Sequence, residues 1–256
     1  MNKTKDEGFW RKVKNCFGKV TRFCDHLVFP DDIKCIFCGR DIKDFDEKCY
    51  CDECEKRIPF NNKNKCLVCS EPIDNEAVVC DNCQKEKRNF RKAFCPFVYD
   101  GIVRNAILSY KDSNQRYKAK PFAKFIANEI QKDEVKIDII SFVPLTHKKE
   151  KSRSFNQSKL LAEEIGKILN VEVVDMFIKT RDDKAQKFSS FKERQEKMIG
   201  LYALKEGVKF GKSKNVLIVD DIITTCATVN YCAGLLKNKV ANVYVCSIAR
   251  NKLKQK

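Results

Sequence analysis

Val216-Leu217-Ile218-Val219-Asp220-Asp221-Ile222-Ile223-Thr224-Thr225-Cys226-Ala227-Thr228 is the stretch on which the reading of this chain turns. Four apolar residues make a buried strand, two adjacent carboxylates end it, and a threonine-rich turn opens a helix that the spacing carries from Ala227 to Asn238. Such a turn points backbone N–H groups and hydroxyls into one concavity at a helix N-terminus, where a phosphate is best bound. Ligands of open α/β sheets sit at the carboxyl ends of strands, which is where this turn falls. On spacing alone, paired acids after a strand serve equally well as a solvated cap.

Outward from this stretch, helical and extended runs alternate. Tyr99 to Tyr110, Pro121 to Gln131 and Asn156 to Leu169 carry helical spacing, whereas Ile137 to Val143 (stopped by Pro144), Val171 to Ile178 and Val243 to Ile248 are extended. The alternation predicts an α/β domain over residues 94–256, built on a largely parallel sheet with flanking helices. Lys179 to Met198 is polar and without apolar periodicity, and a loop of that length is usually functional.

Residues 31–93 differ in character. Eight cysteines form four Cys-x-x-Cys pairs, and the pairs repeat: 66 − 35 = 31 and 69 − 38 = 31, while 80 − 51 = 29 and 83 − 54 = 29. The segment therefore reads as a duplicated unit with two metal sites. Two thiolates on one tight turn reach a single Zn²⁺ at about 2.3 Å, and a second turn completes the tetrahedron. Cys35, Cys38, Cys51 and Cys54 are assigned to one site and Cys66, Cys69, Cys80 and Cys83 to the other, with Cys49 left over; a cross-braced pairing uses the same ligands. A four-thiolate shell has no open position, so both zincs are expected to be structural and to drive folding of a segment with little core of its own.

Residues 1–30 form a third region, an amphipathic helix with the stripe Phe9, Trp10, Val13, Phe17, Val20 and Leu27, expected to pack on its own domain. His26 lies on it and reads as structural. The chain of 256 residues carries 51 Lys+Arg against 35 Asp+Glu, a net charge of +16. Residues 1–95 hold 20 and 17 of these, leaving 31 and 18 for the rest, so the α/β part carries +13. A composition of 43% hydrophobic residues excludes wholesale disorder. No stretch approaches the roughly 20 apolar residues of a membrane span. With fifteen cysteines, an odd number, and no secretory pattern, metal binding in the reducing cytoplasm is expected over disulfides. Neither a Walker loop nor a GxGxxG fingerprint occurs.

The segment Val216 to Thr228 resembles the 5-phosphoribosyl-1-pyrophosphate binding motif of type I phosphoribosyltransferases. Three further features narrow the resemblance: Val143-Pro144-Leu145-Thr146-His147 followed by Arg153-Ser154-Phe155-Asn156-Gln157; Thr180-Arg181 with Gln186 and Arg194; and the four cysteine pairs. Together they look like the ComF family, competence-associated proteins with a double zinc ribbon and a phosphoribosyltransferase-like domain, over nearly the whole chain. The resemblance implies that Asp220 and Asp221 hydrogen-bond the ribose hydroxyls and that Thr224, Thr225, Cys226, Ala227 and Thr228 cradle the 5-phosphate. Thr146 and His147 would face the pyrophosphate, Arg153 would supply positive charge, and Asn156 and Gln157 would anchor that loop on its helix. Mg²⁺ would bridge pyrophosphate and ribose, and Lys179 to Met198 would form the hood over the reacting centre. Single-stranded DNA and a competence helicase are the implied partners, with DNA uptake as the setting.

Two positions depart from the pattern: Cys226 and Ser154 stand where the family usually has glycine. If position 226 needs φ > 0, its Cβ costs about 1 kcal/mol or more. A thiolate at a helix N-terminus would repel phosphate, whereas a packed neutral thiol would not. Purine enzymes of this fold commonly have aspartate where this chain has Thr224, which argues against hypoxanthine- or guanine-type salvage. Three readings stay open: a phosphoribosyltransferase of unknown acceptor, a non-catalytic nucleic-acid or partner-binding module on the same fold, and a small-molecule nucleobase salvage enzyme.

Overall fold

A computed structural model describes residues 34–42, 48–73, 77–113, 115–145, 155–180, 200–209 and 211–252. The expected N-terminal helix, with His26, lies outside the described residues. The chain divides into two compact units, one of residues 1–35 and 39–51, the other of 36–38 and 52–256.

In the first unit, Lys34 and Asp41 form an antiparallel bridge. Cys35 N donates to Arg40 O (2.7 Å) and Gly39 N to Cys35 O (2.8 Å), and Gly39 has φ +74°. The same turn recurs in the second unit at the offset of the sequence repeat. Lys65 bridges Pro72, Cys66 N donates to Glu71 O (2.9 Å), Ser70 N donates to Cys66 O (2.9 Å), and Ser70 has φ +56°. Short helices α1 (Asp52–Glu55) and α2 (Asp81–Lys85) repeat likewise.

The rest of the second unit comprises β1 (Lys92–Phe94), β2 (Phe97–Val98), α3 (Gly101–Asp112), α4 (Ala119–Lys132), β3 (Ile139–Phe142), α5 (Gln157–Leu169), β4 (Phe177–Lys179), β5 (Tyr202–Leu204), β6 (Asn215–Val219), β7 (Ile222–Ile223), α6 (Ala227–Leu235), β8 (Asn242–Cys246) and β9 (Ala249–Arg250). Four strands form a parallel sheet in the order β1-β8-β6-β3. As expected for a strand covered by helices on both faces, β6 is an apolar run after Asn215: Val216, Leu217, Ile218 and Val219 are fully buried. Helix α3 buries Ile102, Val103, Ala106, Ile107 and Tyr110 along one stripe. Helix α5 packs so closely that a Cβ on Gly166 would stand 2.7 Å from Val173 Cγ2 and 2.8 Å from Val171 O, which only glycine avoids.

Three strands do not stop where the sheet stops. After breaks at residues 95–96, 247–248 and 220–221, β1, β8 and β6 resume as β2, β9 and β7, a second parallel sheet in the matching order β2-β9-β7. The break in β6 falls on the two acids. The expected strand Val243 to Ile248 thus ends at Cys246, with β9 starting beyond it at Ala249, and the expected helix Ala227 to Asn238 ends at Leu235 before a turn in which Asn238 has φ +64°. The antiparallel pair β4–β5 lies outside both sheets.

Candidate functional site

The acids end β6 because the chain there leaves one sheet and enters the next. Asp220 N donates to Cys246 O (2.9 Å) and Ile248 N to Asp221 O (3.2 Å), so the backbone is held by the neighbouring strand while the side chains remain for other partners. Asp220 Oδ1 accepts from the N–H of Asp221 (2.8 Å) and from Ser158 Oγ on α5 (3.2 Å). Asp221 Oδ2 pairs with Lys111 Nζ from the last turn of α3 at 2.7 Å. Burial, and after it the neighbouring charge of Asp221, pushes the Asp220 carboxyl up to about 7.

Beyond β7 the turn runs through exposed Thr224 to buried Thr225, Cys226 and Ala227, with Thr228 half-buried on α6. Cys226 is the N-cap of α6, with φ +66° and ψ 0°, the left-handed conformation that favours glycine, and no side chain caps the helix there. Its thiol points inward against Cys69. That contact, and then burial, raises its pKa well above the ordinary value. The side chain is packed in the buried cluster and is not presented to the mouth of the turn.

Cys69 belongs to the second cysteine quartet. The sulfurs of Cys66, Cys69, Cys80 and Cys83 lie within 4.8 Å of one another, as do those of Cys35, Cys38, Cys51 and Cys54. Each quartet could hold a metal ion, in the sequential pairing rather than the cross-braced one. Cys69 Sγ and Cys80 Sγ are 3.6 Å apart, close to the edge of about 3.8 Å of a tetrahedron with 2.3 Å zinc–sulfur bonds. Four thiolates around Zn²⁺ leave two negative charges, and two buried guanidiniums face them: Arg88 Nε donates to Cys83 Sγ (3.4 Å) and Arg250 Nη2 to Cys69 Sγ (3.8 Å). Cys66, Cys69 and Cys80 share one buried cluster with Phe90, Ala93, Cys226, Val229 and Cys232, so this ribbon packs into the α/β core.

Asn156 caps α5, its Oδ1 accepting from Lys159 N (3.1 Å), while its Nδ2 donates to Val143 O (3.2 Å) beyond β3. Gln157 is buried, donating to Lys111 O (3.2 Å) and accepting at its own carbonyl from Tyr110 OH (2.8 Å). Both therefore anchor the start of α5 to the elements beside the acids. Thr146, His147, Arg153 and Ser154, like Arg181, Gln186 and Arg194, lie outside the described residues. The two ends of the polar segment are visible: Thr180 N donates to Leu201 O (3.0 Å), Thr180 Oγ1 donates to Gly200 O, and Gly200 N donates to Tyr231 OH on α6 (2.8 Å). With β4 and β5, these bonds make a hairpin stem tied to the helix that the threonine turn opens.

No family model matches the chain. It is 28% identical over 222 residues to competence protein ComFC of Streptococcus pneumoniae, covering 80% of this chain and 94% of that protein. It is 24% identical over 229 residues to competence protein F of Haemophilus influenzae, covering 86% and 97%. Both relatives are competence proteins, and the similarity to them spans most of this chain and nearly all of theirs. Among solved structures, a crystal structure of adenine phosphoribosyltransferase overlays 57% of this chain and 75% of its own, with a TM-score of 0.34 and 19% identity.

Three residues around this site were not evident from the sequence: Lys111, Arg88 and Arg250. Each is one basic residue in a lysine-rich chain, and no local spacing distinguishes it. Arg250 is the most connected. Its Nε donates to Cys69 O (3.0 Å), its Nη1 to Ile223 O (3.2 Å), Asn251 O (2.9 Å) and Thr224 O, and its Nη2 lies 3.3 Å from Glu71 Oε2.

Proposed function

We propose that this ComF-type chain binds phosphoribosyl pyrophosphate with Mg²⁺ at the Asp220–Asp221 pair and the turn Thr224 to Thr228, in a competence role like that named for its relatives. The observation that carries this reading is the placement of two acids at a break between parallel sheets, followed directly by an uncapped helix N-terminus. Carboxylates there suit ribose hydroxyls, and free amides of α6 suit a phosphate. The donor set also fits a hard divalent cation, since Asp220 and Asp221 offer carboxylate oxygens to an ion that keeps most of its shell from the ligand and water. When bound, Mg²⁺ would neutralise pyrophosphate charge. The chain's own part is to hold the sugar: Ser158 and the Asp221 amide orient Asp220, and Lys111 orients Asp221. Chemistry at such a centre depends on positioning and electrostatic stabilisation more than on any one side chain. Zinc in the two quartets is structural in this reading.

Calorimetry with phosphoribosyl pyrophosphate and Mg²⁺ tests it. Saturable binding is expected for the wild type and at least about tenfold weaker binding for Asp220→Asn; no binding by the wild type overturns the reading. The acceptor is approached by screening pyrophosphate release against nucleobases and single-stranded DNA.

A second reading rests on charge. Residues 96–256 carry 31 basic against 18 acidic residues, which favours a single-stranded DNA partner held through its phosphates. Affinity falling steeply with salt supports it, and absence of binding at low salt removes it.

A further inference from the structure

The second cysteine quartet is joined to the threonine turn by two side chains that the quartet does not need for its own geometry. Arg250 is 1% exposed, and its planar fork spans both structures. On one side it donates to Cys69 O and faces Cys69 Sγ and Glu71; on the other it donates to Ile223 O and Thr224 O, the residues that lead into Cys226. Cys226 makes the second link, its thiol against Cys69 from a backbone conformation that an L-residue adopts only when its surroundings hold it there. Ser70, next to Cys69, is fixed in turn: its Oγ donates to Ala93 O (2.6 Å) on β1 and its carbonyl accepts from Asn61 Nδ2 (2.8 Å). Cys69 therefore sits on a rigid base, and the turn leans on Cys69.

We propose that metal in the Cys66, Cys69, Cys80 and Cys83 quartet sets the conformation of the phosphate-binding turn, with Arg250 and Cys226 as positioning residues that couple the two. The function of the turn rests on the reading above; the coupling does not. Without metal, four clustered thiols lose the ion that holds them together, the Cys66–Glu71 turn relaxes, and Arg250 loses the acceptors on that side. Ile223 and Thr224 then lose their brace, and Cys226 its reason to remain left-handed. Coupling is reciprocal by linkage, so a ligand that orders the turn retains the metal more strongly.

Hydrogen exchange of the full-length zinc-loaded protein tests this without any ligand. Peptides covering residues 222–230 are expected to exchange at least about tenfold faster in Arg250→Lys, whose point charge cannot bridge both sides, and in Cys80→Ser, which holds one zinc fewer. Peptides covering α3 and α4 should keep wild-type rates. In the wild type, the same peptides should lose protection in step with zinc release to a metallochromic chelator. Wild-type exchange at 222–230 after the quartet has lost its zinc overturns the proposal. A separate arm follows zinc release with and without phosphoribosyl pyrophosphate and Mg²⁺. Slower release supports the coupling, whereas unchanged release at a ligand concentration shown by calorimetry to saturate the protein counts against it. Failure of the ligand to bind at all refutes the phosphoribosyl reading alone, because the exchange arm contains no ligand.

Discussion

Lys111 Nζ stands 2.7 Å from Asp221 Oδ2, joining the last turn of α3 to the acid beyond β6 across 221 − 111 = 110 residues of chain. Both side chains are 15% exposed, so the pair is largely shielded from water. Its positive charge also reaches Asp220, whose carboxyl it pulls downward against burial and Asp221. Lys111→Met should therefore move the Asp220 titration above about 7, read by carbon NMR of the side-chain carboxyl. An unchanged or lower midpoint would show that Lys111 does not hold the Asp220 carboxyl down.

Stability should depend on pH through Asp220. Its folded-state pKa of about 7 lies above the ordinary 3.8, so between these values the folded state binds a proton that the unfolded state has released. Stability from this group is full at low pH and is lost as pH rises through 7. The melting temperature of the wild type relative to Asp220→Asn should fall from pH 5 to pH 8. A flat profile over this range would mean that Asp220 is already ionised at pH 5 in the folded protein. Ligand binding that uses the ionised form should strengthen over the same range.

Cys226→Gly sets two effects against each other. Relief of a left-handed Cβ is worth about 1–2 kcal/mol, and loss of a buried sulfur contact costs about as much. Stability by denaturant unfolding should stay within about 1 kcal/mol of wild type. Phosphoribosyl pyrophosphate should bind more tightly; an unchanged or weaker dissociation constant refutes the steric effect expected from the sequence. Cys226→Val puts a branched side chain at φ +66° in a packed site and should cost more than about 3 kcal/mol.

Asn156→Ala removes the cap of α5 and the bond to Val143 O together. A cap alone is worth about 1 kcal/mol, so the variant should lose about 1–2 kcal/mol by urea unfolding. Asn156→Ser, which can still cap but cannot reach as far, should recover part of the loss. Equal losses would make the Val143 bond the larger contribution.

Much of this architecture was legible in short windows of chain. The strand, acids, turn and helix start from Val216 onward lie where their spacing placed them, with β6 one residue longer and α6 ending at Leu235 instead of Asn238. The thiol quartets pair sequentially, and the repeat of 31 residues reappears as two turns with the same hydrogen bonds. The doubling of β1, β6 and β8 across a break was not legible, because apolar runs such as Val243 to Ile248 look alike whether they stay in one sheet or pass into a second.

Periodicity and ligand spacing act over a few residues, and at that range the chain alone settles where its acids, its uncapped helix and its thiol turns stand. Arg250 meets Cys69 across 181 residues and Thr224 across 26, and each meeting has a low-dielectric burial that no window of sequence contains. Folding alone decides that Arg250 joins the cysteine turn at Cys69 to the threonine turn that lies between them in sequence. A guanidinium enclosed in the core is tolerated only where the finished packing surrounds it with acceptors.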